Sequence, residues 1–336
     1  MRELSYQALA HGADTCLFFQ MRQSIAGQEK FHGAFISHSG REDTRIFREM
    51  QQLGAEMKKM GERVPGGRIE ARAAILFDWN NWWALELSSG PSRDMDYLKT
   101  VSKYYQAFFE QNILVDIVRF DEKLDKYRVV VAPMLYMMKD NIADNLEKFV
   151  RNGGTLLATV MSGIADENDR CIYGEYPGPL KKILGIRVEE TDALRPEESN
   201  TMCVKNEAGF DKDSYYCGFL CDLLHTEGAE SLAVYGSDFY GGRPCLTRNT
   251  YGKGLAYYIG TEPDAEFLRE FIFRICAAKN VRAPYSSQPG VEITERIKNG
   301  EITVFAINHN HEEAWIDFSD EHLRELLTDH TVTGRI

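Results

Sequence analysis

The chain has 336 residues, of which 43% are hydrophobic and 27% charged, a composition typical of globular proteins. Acidic side chains outnumber basic ones by 51 to 39, so the formal net charge is -12 and no stripe of Lys and Arg offers a phosphate backbone a binding surface. Nucleic acid is therefore not expected as a partner, and neither is a membrane, because no apolar run approaches the ~20 residues that a membrane helix needs.

The first 67 residues predict a helix, a strand, a polar loop and a second helix. The first helix is expected at residues 3–11 and the strand at 15–19. Asp43 or Thr44 can cap the second helix, and we place the first domain boundary at 65–67, where Pro-Gly-Gly breaks the pattern. The apolar residues of the second helix recur at helical spacing and are Ile46, Phe47, Met50, Leu53 and Met57.

From residue 69 the pattern changes to strands that alternate with helices, and between about 170 and 250 it becomes shorter and more β-like, with many turn residues. Continuous apolar runs are expected for strands buried on both faces. Helical segments between these strands imply right-handed crossovers, and hence a parallel, doubly wound α/β sheet. The predicted strands are 73–77, 115–118, 128–133, 155–160 and 255–260, and the predicted helices are 95–111, 141–152 and 265–278.

The last segment, 284–336, predicts a small antiparallel β unit. Two alternating runs at 291–297 and 302–308 are joined by Asn299-Gly300, which is a strong hairpin signal. We expect the unit to be incomplete, since residues 331–336 end where another strand could pair.

Seven cysteines are scattered along the chain, an odd number that argues against a disulfide framework. Cys217 and Cys221 form a C-x3-C pair, but no second pair with metal spacing accompanies it. We therefore expect reduced thiols in a cytoplasmic protein, with no metal and no cofactor.

A polar cluster follows the predicted strand at 15–19. Glu29 and His32 within it are three residues apart, so on a helical turn they share a face and can bind one polar ligand together. Loops after the carboxyl ends of parallel strands line active sites, which makes this pair the candidate site. Because the cluster lies so close to Met1, most of the sheet that such a strand belongs to is expected to be missing from this polypeptide.

Several stretches, in the same order along the chain, resemble the β-galactosidases of glycoside hydrolase family 42. The end of that family's catalytic barrel is resembled by residues 5–14, by Phe18-Phe19-Gln20 and by Glu29-Lys30-Phe31-His32. The resemblance continues into the trimerisation domain and the small C-terminal β domain, and covers essentially the whole chain. The stretches concerned there are 235–240, 244–248, 252–261 and 326–328.

The resemblance implies three parts: a remnant of the last unit of a TIM barrel at 1–67, a trimerisation domain at 68–283 and a C-terminal β domain at 284–336. The middle part is expected to be flavodoxin-like, or class I amidotransferase-like. Glu29 and His32 match the family's E-x-x-H motif, which implies that they contact galactose hydroxyls. Met21 departs from the family pattern, which usually has Trp there and would stack on the sugar.

The same resemblance implies that the catalytic groups lie elsewhere. Retaining glycosidases need two carboxylates, and in this family those belong to earlier barrel strands. A full barrel needs about 250 residues, so we assign no catalytic residue in this chain and expect it to be inactive alone.

Three interpretations follow. The first is a partial family 42 β-galactosidase that retains assembly as a homo-oligomer, expected to be a trimer, and whose complete form hydrolyses terminal β-D-galactosides. The second is a non-catalytic assembly or sugar-recognition subunit that complements a separate chain carrying the rest of the barrel. The third is an independent α/β hydrolase or amidotransferase-like enzyme that uses Ser162 or a cysteine.

The sequence context favours one interpretation for each of three further motifs. Ser162 lacks the G-x-S-x-G spacing of a nucleophile elbow, so a structural loop is favoured there. Trp79, Trp82 and Trp83 suit a protein interface better than a sugar platform, because aromatic side chains are enriched as interface anchors. Gly252-Lys253-Gly254 precedes a strand, which indicates a hairpin turn and not a phosphate loop.

Overall fold

The computed structural model describes residues 1–205, 209–319 and 321–336, and it divides into two compact units. Unit 1 combines Met1–Glu70 with Ala283–Ile336, and unit 2 is Ala71–Arg282. The division into three domains expected from the sequence stays a prediction. Within the described residues, every helix is too short or too polar to cross a bilayer.

Helices and strands are numbered in chain order. The α-helices are α1 Arg2–Ala10, α2 Arg45–Met60, α3 Trp79–Leu87, α4 Tyr97–Phe109, α5 Ile142–Arg151, α6 Lys181–Leu184 and α7 Ala265–Ala277. Short 3₁₀ turns are Gln28–Phe31, Gly61–Arg63 and Gly178–Leu180. The strands are β1 Ala73–Leu76, β2 Val115–Val118, β3 Val129–Ala132, β4 Met137–Met138, β5 Thr155–Thr159, β6 Ala165–Asp166, β7 Ile186–Ala193, β8 Asn200–Val204, β9 Ser214–Thr226, β10 Glu230–Tyr235, β11 Pro244–Tyr251, β12 Gly254–Ile259, β13 Thr261–Pro263, β14 Ser286–Ser287, β15 Val291–Lys298, β16 Glu301–Asn308, β17 Ile316–Asp317, β18 Leu323–Arg324 and β19 Thr331–Val332.

Four of the longer helices begin at a side chain that caps them. In each case the side-chain oxygen accepts a hydrogen bond from the backbone N–H three residues later, which satisfies one of the free donors of the first turn. The predicted cap of α2 at Thr44 is thereby confirmed. The capping residues are Thr44, Asp78, Asp96 and Asp264.

Unit 2 is built on a mixed sheet of eleven strands. Five strands run parallel in the order β2-β1-β3-β5-β12, as the sequence predicts for this part. The remaining strands, β11, β10, β8, β9, β7 and β13, extend the sheet antiparallel, and most of them fall in the shorter, more β-like stretch at 170–250. The tight turn at Gly252, with φ 60°, folds β11 back onto β12 and confirms the hairpin-turn interpretation of that motif.

The core of unit 2 lies on both faces of the sheet. Alternate residues of each parallel strand point to opposite faces: Ile75 of β1 joins one apolar cluster and Leu76 the other. Helices α3, α4 and α7 cover the first face, and α5 and α6 cover the second. The double winding predicted from the sequence is therefore present.

Unit 1 contains the predicted hairpin, formed by β15 and β16 with Asn299 and Gly300 at the turn, both at positive φ. The predicted strand at 15–19 is wrong, because a strand requires a hydrogen-bonded neighbour and these residues pair with none in the described part of the chain. Ile336 exchanges two backbone hydrogen bonds with Ile316, so the last residues already pair. Apolar packing in this unit is limited to two small clusters, around Phe305 and around Ile293.

One face of β15 carries three buried polar side chains, Glu292, Thr294 and Arg296, which we call the polar row. The Thr294 hydroxyl donates a 2.9 Å hydrogen bond to the Ala10 carbonyl, in the last turn of α1. Carbonyls in that turn lie beyond the helix's own hydrogen bonds, so β15 caps α1. The Arg296 guanidinium, 1% exposed, donates to the carbonyls of Leu9, Ala13 and Gly67 and to the carboxylate of Asp14.

Candidate functional site

Of the two candidate site residues, Glu29 lies within the 3₁₀ turn Gln28–Phe31 and His32 directly follows it. The His32 amide donates a 2.9 Å hydrogen bond to the Glu29 carbonyl, and residues three apart on such a turn eclipse one another. Both are exposed, and the His32 ring meets the Phe19 ring edge-on with centroids 6.2 Å apart. Within the described residues no side chain pairs with the Glu29 carboxylate, which leaves it open to solvent. Its role in binding a sugar stays a prediction.

The loop that carries this turn is closed by backbone pairing. The Ile36 amide donates to the Met21 carbonyl and the Gln23 amide donates to the Ile36 carbonyl, each at 2.9 Å. The Gln23 side chain then reaches the Lys30 carbonyl at 3.1 Å, which fastens the turn to the base of its loop. Met21, where the resemblance leads us to expect Trp, is 63% exposed.

Ser162, the nucleophile of the hydrolase interpretation, is buried and fully hydrogen-bonded. Its hydroxyl donates to the Thr159 carbonyl at 2.7 Å and accepts from the Leu135 amide at 3.2 Å. The left-handed backbone that a nucleophile elbow requires falls on Met161, at φ 66°, and a thioether is not among the nucleophiles of hydrolytic enzymes. The ring of His225, a histidine that could act as the base for Ser162 only if it were close in space, contacts the Glu189 carboxylate. These contacts favour the structural-loop interpretation.

Three of the buried cysteines are poor nucleophiles. All seven cysteines of the chain are free thiols. Burial raises the pKa of Cys217 and of Cys276 to about 12, and it raises that of Cys221 as well, so these thiols stay protonated and unreactive near neutral pH. Across residues 1–205, 209–319 and 321–336, no three His, Cys, Asp or Glu side chains are arranged to hold a metal ion.

Helix α3 carries an exposed apolar face that the sequence analysis did not recognise as helical. Trp79, Trp83 and Leu87, spaced four residues apart, form what we call the aromatic stripe, and they are 57%, 51% and 87% exposed. The four-residue spacing of these side chains and the capping residue Asp78 are the sequence features that could have predicted this helix. Asn81 on the inner face is buried, and its amide binds the backbone of the segment after β3, which fixes the orientation of α3.

A cleft of about 480 Å³ opens in unit 2 beside the C-terminal ends of α5 and α7. Arg128 donates to the Lys279 carbonyl at 3.0 Å, and the Lys279 ammonium donates to the Gly153 carbonyl at 2.8 Å. Carbonyls at helix C-termini carry partial negative charge, so both cations stabilise these ends. Sequence reasoning gave no indication of this cleft, whose cationic lining residues are Lys123, Arg128, Lys148 and Lys279.

Known families match three consecutive parts of the chain. The β-galactosidase trimerisation domain matches residues 71–282, the β-galactosidase domain matches 1–60, and the β-galactosidase C-terminal domain matches 290–336. The first match alone covers more than half of the chain. The chain therefore belongs to the family 42 β-galactosidases, as the resemblance indicated.

Similarity to individual proteins supports this family assignment. β-Galactosidase BgaA of Planococcus sp. (strain 'SOS Orange') is 49% identical over 336 residues, which is 100% of this chain and 50% of that protein. BgaB of Geobacillus sp. (strain Y412MC61) is 44% identical over 329 residues, 98% of this chain and 48% of that protein. The crystal structure of β-galactosidase from Bacillus circulans sp. alkalophilus aligns with a TM-score of 0.98 at 47% identity, covering 100% of this chain and 50% of that one. This chain spans about half the length of these relatives.

Proposed function

We propose that this chain assembles with copies of itself into a trimer through unit 2. The observation that carries the proposal is the aromatic stripe. Helix α3 has apolar residues on two faces, since Ala84 and Leu85 are buried within the unit while Trp79, Trp83 and Leu87 face outward. A helix of that kind belongs in a buried setting, and exposed Trp side chains are the preferred anchors of protein interfaces. The match of residues 71–282 to a trimerisation domain supports a second copy as the partner.

The assembly is tested by measuring the mass of the purified chain in solution, by light scattering coupled to size exclusion, across a concentration series. We expect a trimer for the wild type and a shift toward monomer for Trp83→Lys and for Leu87→Lys. Tyr173→Lys is the matched control, because Tyr173 is an exposed aromatic of unit 2 that lies outside α3, and it should leave the mass unchanged. A wild type that stays monomeric at tens of micromolar contradicts the proposal.

The wider activity is hydrolysis of terminal β-D-galactosides, within carbohydrate metabolism, by the full-length family protein. Relatives that this chain matches along their shared half are named β-galactosidases, which supports that substrate class. Glu29 and His32 bind the galactose hydroxyls in this proposal, and the open carboxylate of Glu29 is suited to accept hydrogen bonds from them. No catalytic carboxylate pair is assigned here, so the chain alone should not turn over a chromogenic β-galactoside. Turnover that is lost when one of its own Asp or Glu residues is neutralised would reverse this assignment.

A second function, a subunit that complements a separate barrel chain, is favoured by one observation. Residues 17–31 expose five large apolar side chains, more than single scattered hydrophobic residues account for, and such patches mark interaction sites. Addition of a polypeptide carrying the first half of a relative should then restore activity, and Glu29→Gln should raise the KM of the restored enzyme. The exposed side chains are Leu17, Phe19, Met21, Ile25 and Phe31.

Two finer assignments belong to the same proposal. The parallel strand order β2-β1-β3-β5-β12 corresponds to the 2-1-3-4-5 order of flavodoxin-like sheets, which supports a flavodoxin-like or amidotransferase-like class for unit 2. A cytoplasmic location is supported by the seven free thiols, since reduced cysteines are typical of that compartment.

A further inference from the structure

A buried carboxylate in unit 1 is held by side chains from both ends of the sequence. Glu292 of β15, whose side chain is 2% exposed, contacts His11 Nε2 with Oε1 at 2.6 Å and His309 Nε2 with Oε2 at 2.7 Å. The Gln7 amide donates to Oε2 at 2.9 Å. The other ring nitrogen of His309, Nδ1, lies 3.0 Å from Glu3 Oε1. Glu3 and Gln7 thus lie in helix α1 and His11 is its C-cap residue, while Glu292 lies in β15 and His309 directly follows β16.

The contacts of His309 define its protonation state. A carboxylate only accepts hydrogen bonds, and a neutral imidazole carries a single N–H donor. Because both ring nitrogens of His309 face carboxylate oxygens, only the doubly protonated imidazolium satisfies both contacts. The neutral ring would leave a lone pair against either Glu3 or Glu292, and the second of these carboxylates is shielded from water.

We propose that His309, with Glu292, His11 and Glu3, forms a pH-sensitive clamp that holds helix α1 onto the β15–β16 hairpin and loosens when His309 loses its proton. The clamp joins α1 to the hairpin through Glu292 of the polar row, in which Arg296 already pairs with Asp14. Helix α2, which also packs on α1, directs its Glu56 to Arg2 and Tyr6 and does not enter the cluster. No titratable group of α2 therefore competes for His309 among the described contacts.

The direction of the pH effect follows from the two pKa shifts. The hydrogen bond to Glu292 raises the pKa of His309 above 6.5, against the opposing effect of burial, and Glu3 raises it further. Stability from this group is therefore fully present below pH 6.5 and is lost as pH rises through the folded-state pKa. Burial opposes ionisation of Glu292, yet the hydrogen bonds from His11, His309 and Gln7 outweigh it and lower the pKa of Glu292 below 4.5. The clamp is consequently strongest between about pH 4.5 and 6.5.

Direct contact also distinguishes the clamp from a metal centre. The ring nitrogens touch the carboxylate oxygens at hydrogen-bond distance, whereas a zinc ion would lie between them at ~2.0–2.2 Å from each ligand. The cluster is complete without an ion.

The test is hydrogen exchange of the α1 amides, corrected for intrinsic exchange rates, at pH 6 and pH 9. In the wild type we expect the protection factor to fall several-fold at the higher pH, because the stability that comes from the raised pKa of His309 is lost there. His309→Gln keeps a donor toward Glu292 but no titratable charge, and should give low protection that does not change with pH. His322→Gln is the control, an exposed histidine of the same unit, and should behave as wild type.

Two results would overturn the clamp: α1 protection in the wild type that is independent of pH, or a His309→Gln variant that keeps the wild-type pH dependence. Should His309→Gln fail to fold, Glu3→Gln provides the same test from an exposed position. Loss of that carboxylate should move the midpoint of the pH transition to lower pH, and an unchanged midpoint contradicts the assignment.

Discussion

The two units of this chain are stabilised in opposite ways. Unit 2 buries both faces of a broad sheet under helices, and its central strands β1, β3 and β5 have every residue buried. Unit 1 has two small apolar clusters and depends on the polar row of β15, which caps α1. Apolar burial is non-directional and shared by many residues, whereas a hydrogen-bonded network fails when one member is removed. We therefore expect the free energy of unfolding of unit 2 to fall in proportion to the size of a substitution, and that of unit 1 to fall sharply when one member of the polar row is replaced.

The largest effect is expected from Arg296→Met, which should lower the free energy of unfolding of unit 1 by roughly 3–5 kcal/mol, because several hydrogen bonds from one buried charged group are lost together. Methionine fills part of the space but removes this donor from the carbonyls of Leu9, Ala13 and Gly67. Arg296→Lys should cost nearly as much, because an ammonium lacks the fork geometry that reaches several acceptors. Amide exchange in α1 measures the change.

Arg324→Met is the matched control for this experiment. Arg324 pairs with Asp329 on the surface of the same unit, with 64% of its side chain exposed, and its loss should cost less than about 0.5 kcal/mol. If the two substitutions lower the free energy of unfolding by similar amounts, the buried position of Arg296 does not make it more important than an arginine in a surface ion pair.

A graded response is expected from Leu157 of β5, which is completely buried in unit 2. Leu157→Ala should lower the free energy of unfolding of unit 2 by about 3 kcal/mol, and Leu157→Val by about 1 kcal/mol, because neighbouring side chains relax only partly into the space. Denaturant unfolding followed by tryptophan fluorescence is suitable, as Trp79, Trp82 and Trp83 all lie in this unit. Equal losses for the two substitutions would contradict the graded behaviour.

A pH-dependent effect is expected from Asp222, a buried carboxyl group inside unit 2. Burial raises its pKa to about 6, although the hydroxyls of Thr191 and Tyr258 donate to it and act in the opposite direction. Since the folded-state pKa lies above the unfolded value, unit 2 should gain roughly 2–3 kcal/mol as pH falls from 7 to 4. Asp222→Asn should remove that part of the pH dependence.

Unfolding midpoints at a series of pH values, compared between wild type and variant, measure this difference. Asp125→Asn at an exposed position is the control and should leave the profile as in the wild type. If the variant keeps the full increase in stability toward pH 4, that increase comes from groups other than Asp222.

Elements whose cause is local were predictable from the sequence. Strands β1 and β5, and the hairpin turn at Asn299-Gly300, follow from short apolar runs and from turn chemistry. Elements set by distant partners were not. The segment 15–19 has strand-like composition but pairs with no strand among the residues that the structure describes, and the order of the antiparallel strands beyond the Gly252 turn depends on pairings between distant segments.

The polar row and the candidate site also depend on distant residues that local sequence does not reveal. Glu292, Thr294 and Arg296 alternate along β15, a pattern that ordinarily indicates a solvent-facing side, yet the structure buries them against α1. Glu29 and His32 were identified by their spacing and their resemblance to a family motif, and the 3₁₀ turn that contains Glu29 and precedes His32 agrees with the expectation that they share a face. The chemistry of a ligand there depends on surroundings that spacing alone does not specify.

The hydrogen bond from Thr294 to Ala10 spans 284 positions of the sequence. On a ribosome, the helix that contains Ala10 emerges long before the hairpin that must cap it, whereas Ala71–Arg282 is a continuous stretch able to fold as soon as it is released. The nascent α1 therefore waits with its last carbonyls in water until translation of the hairpin is finished. Prior collapse of the intervening stretch shortens the effective loop that this late contact has to close.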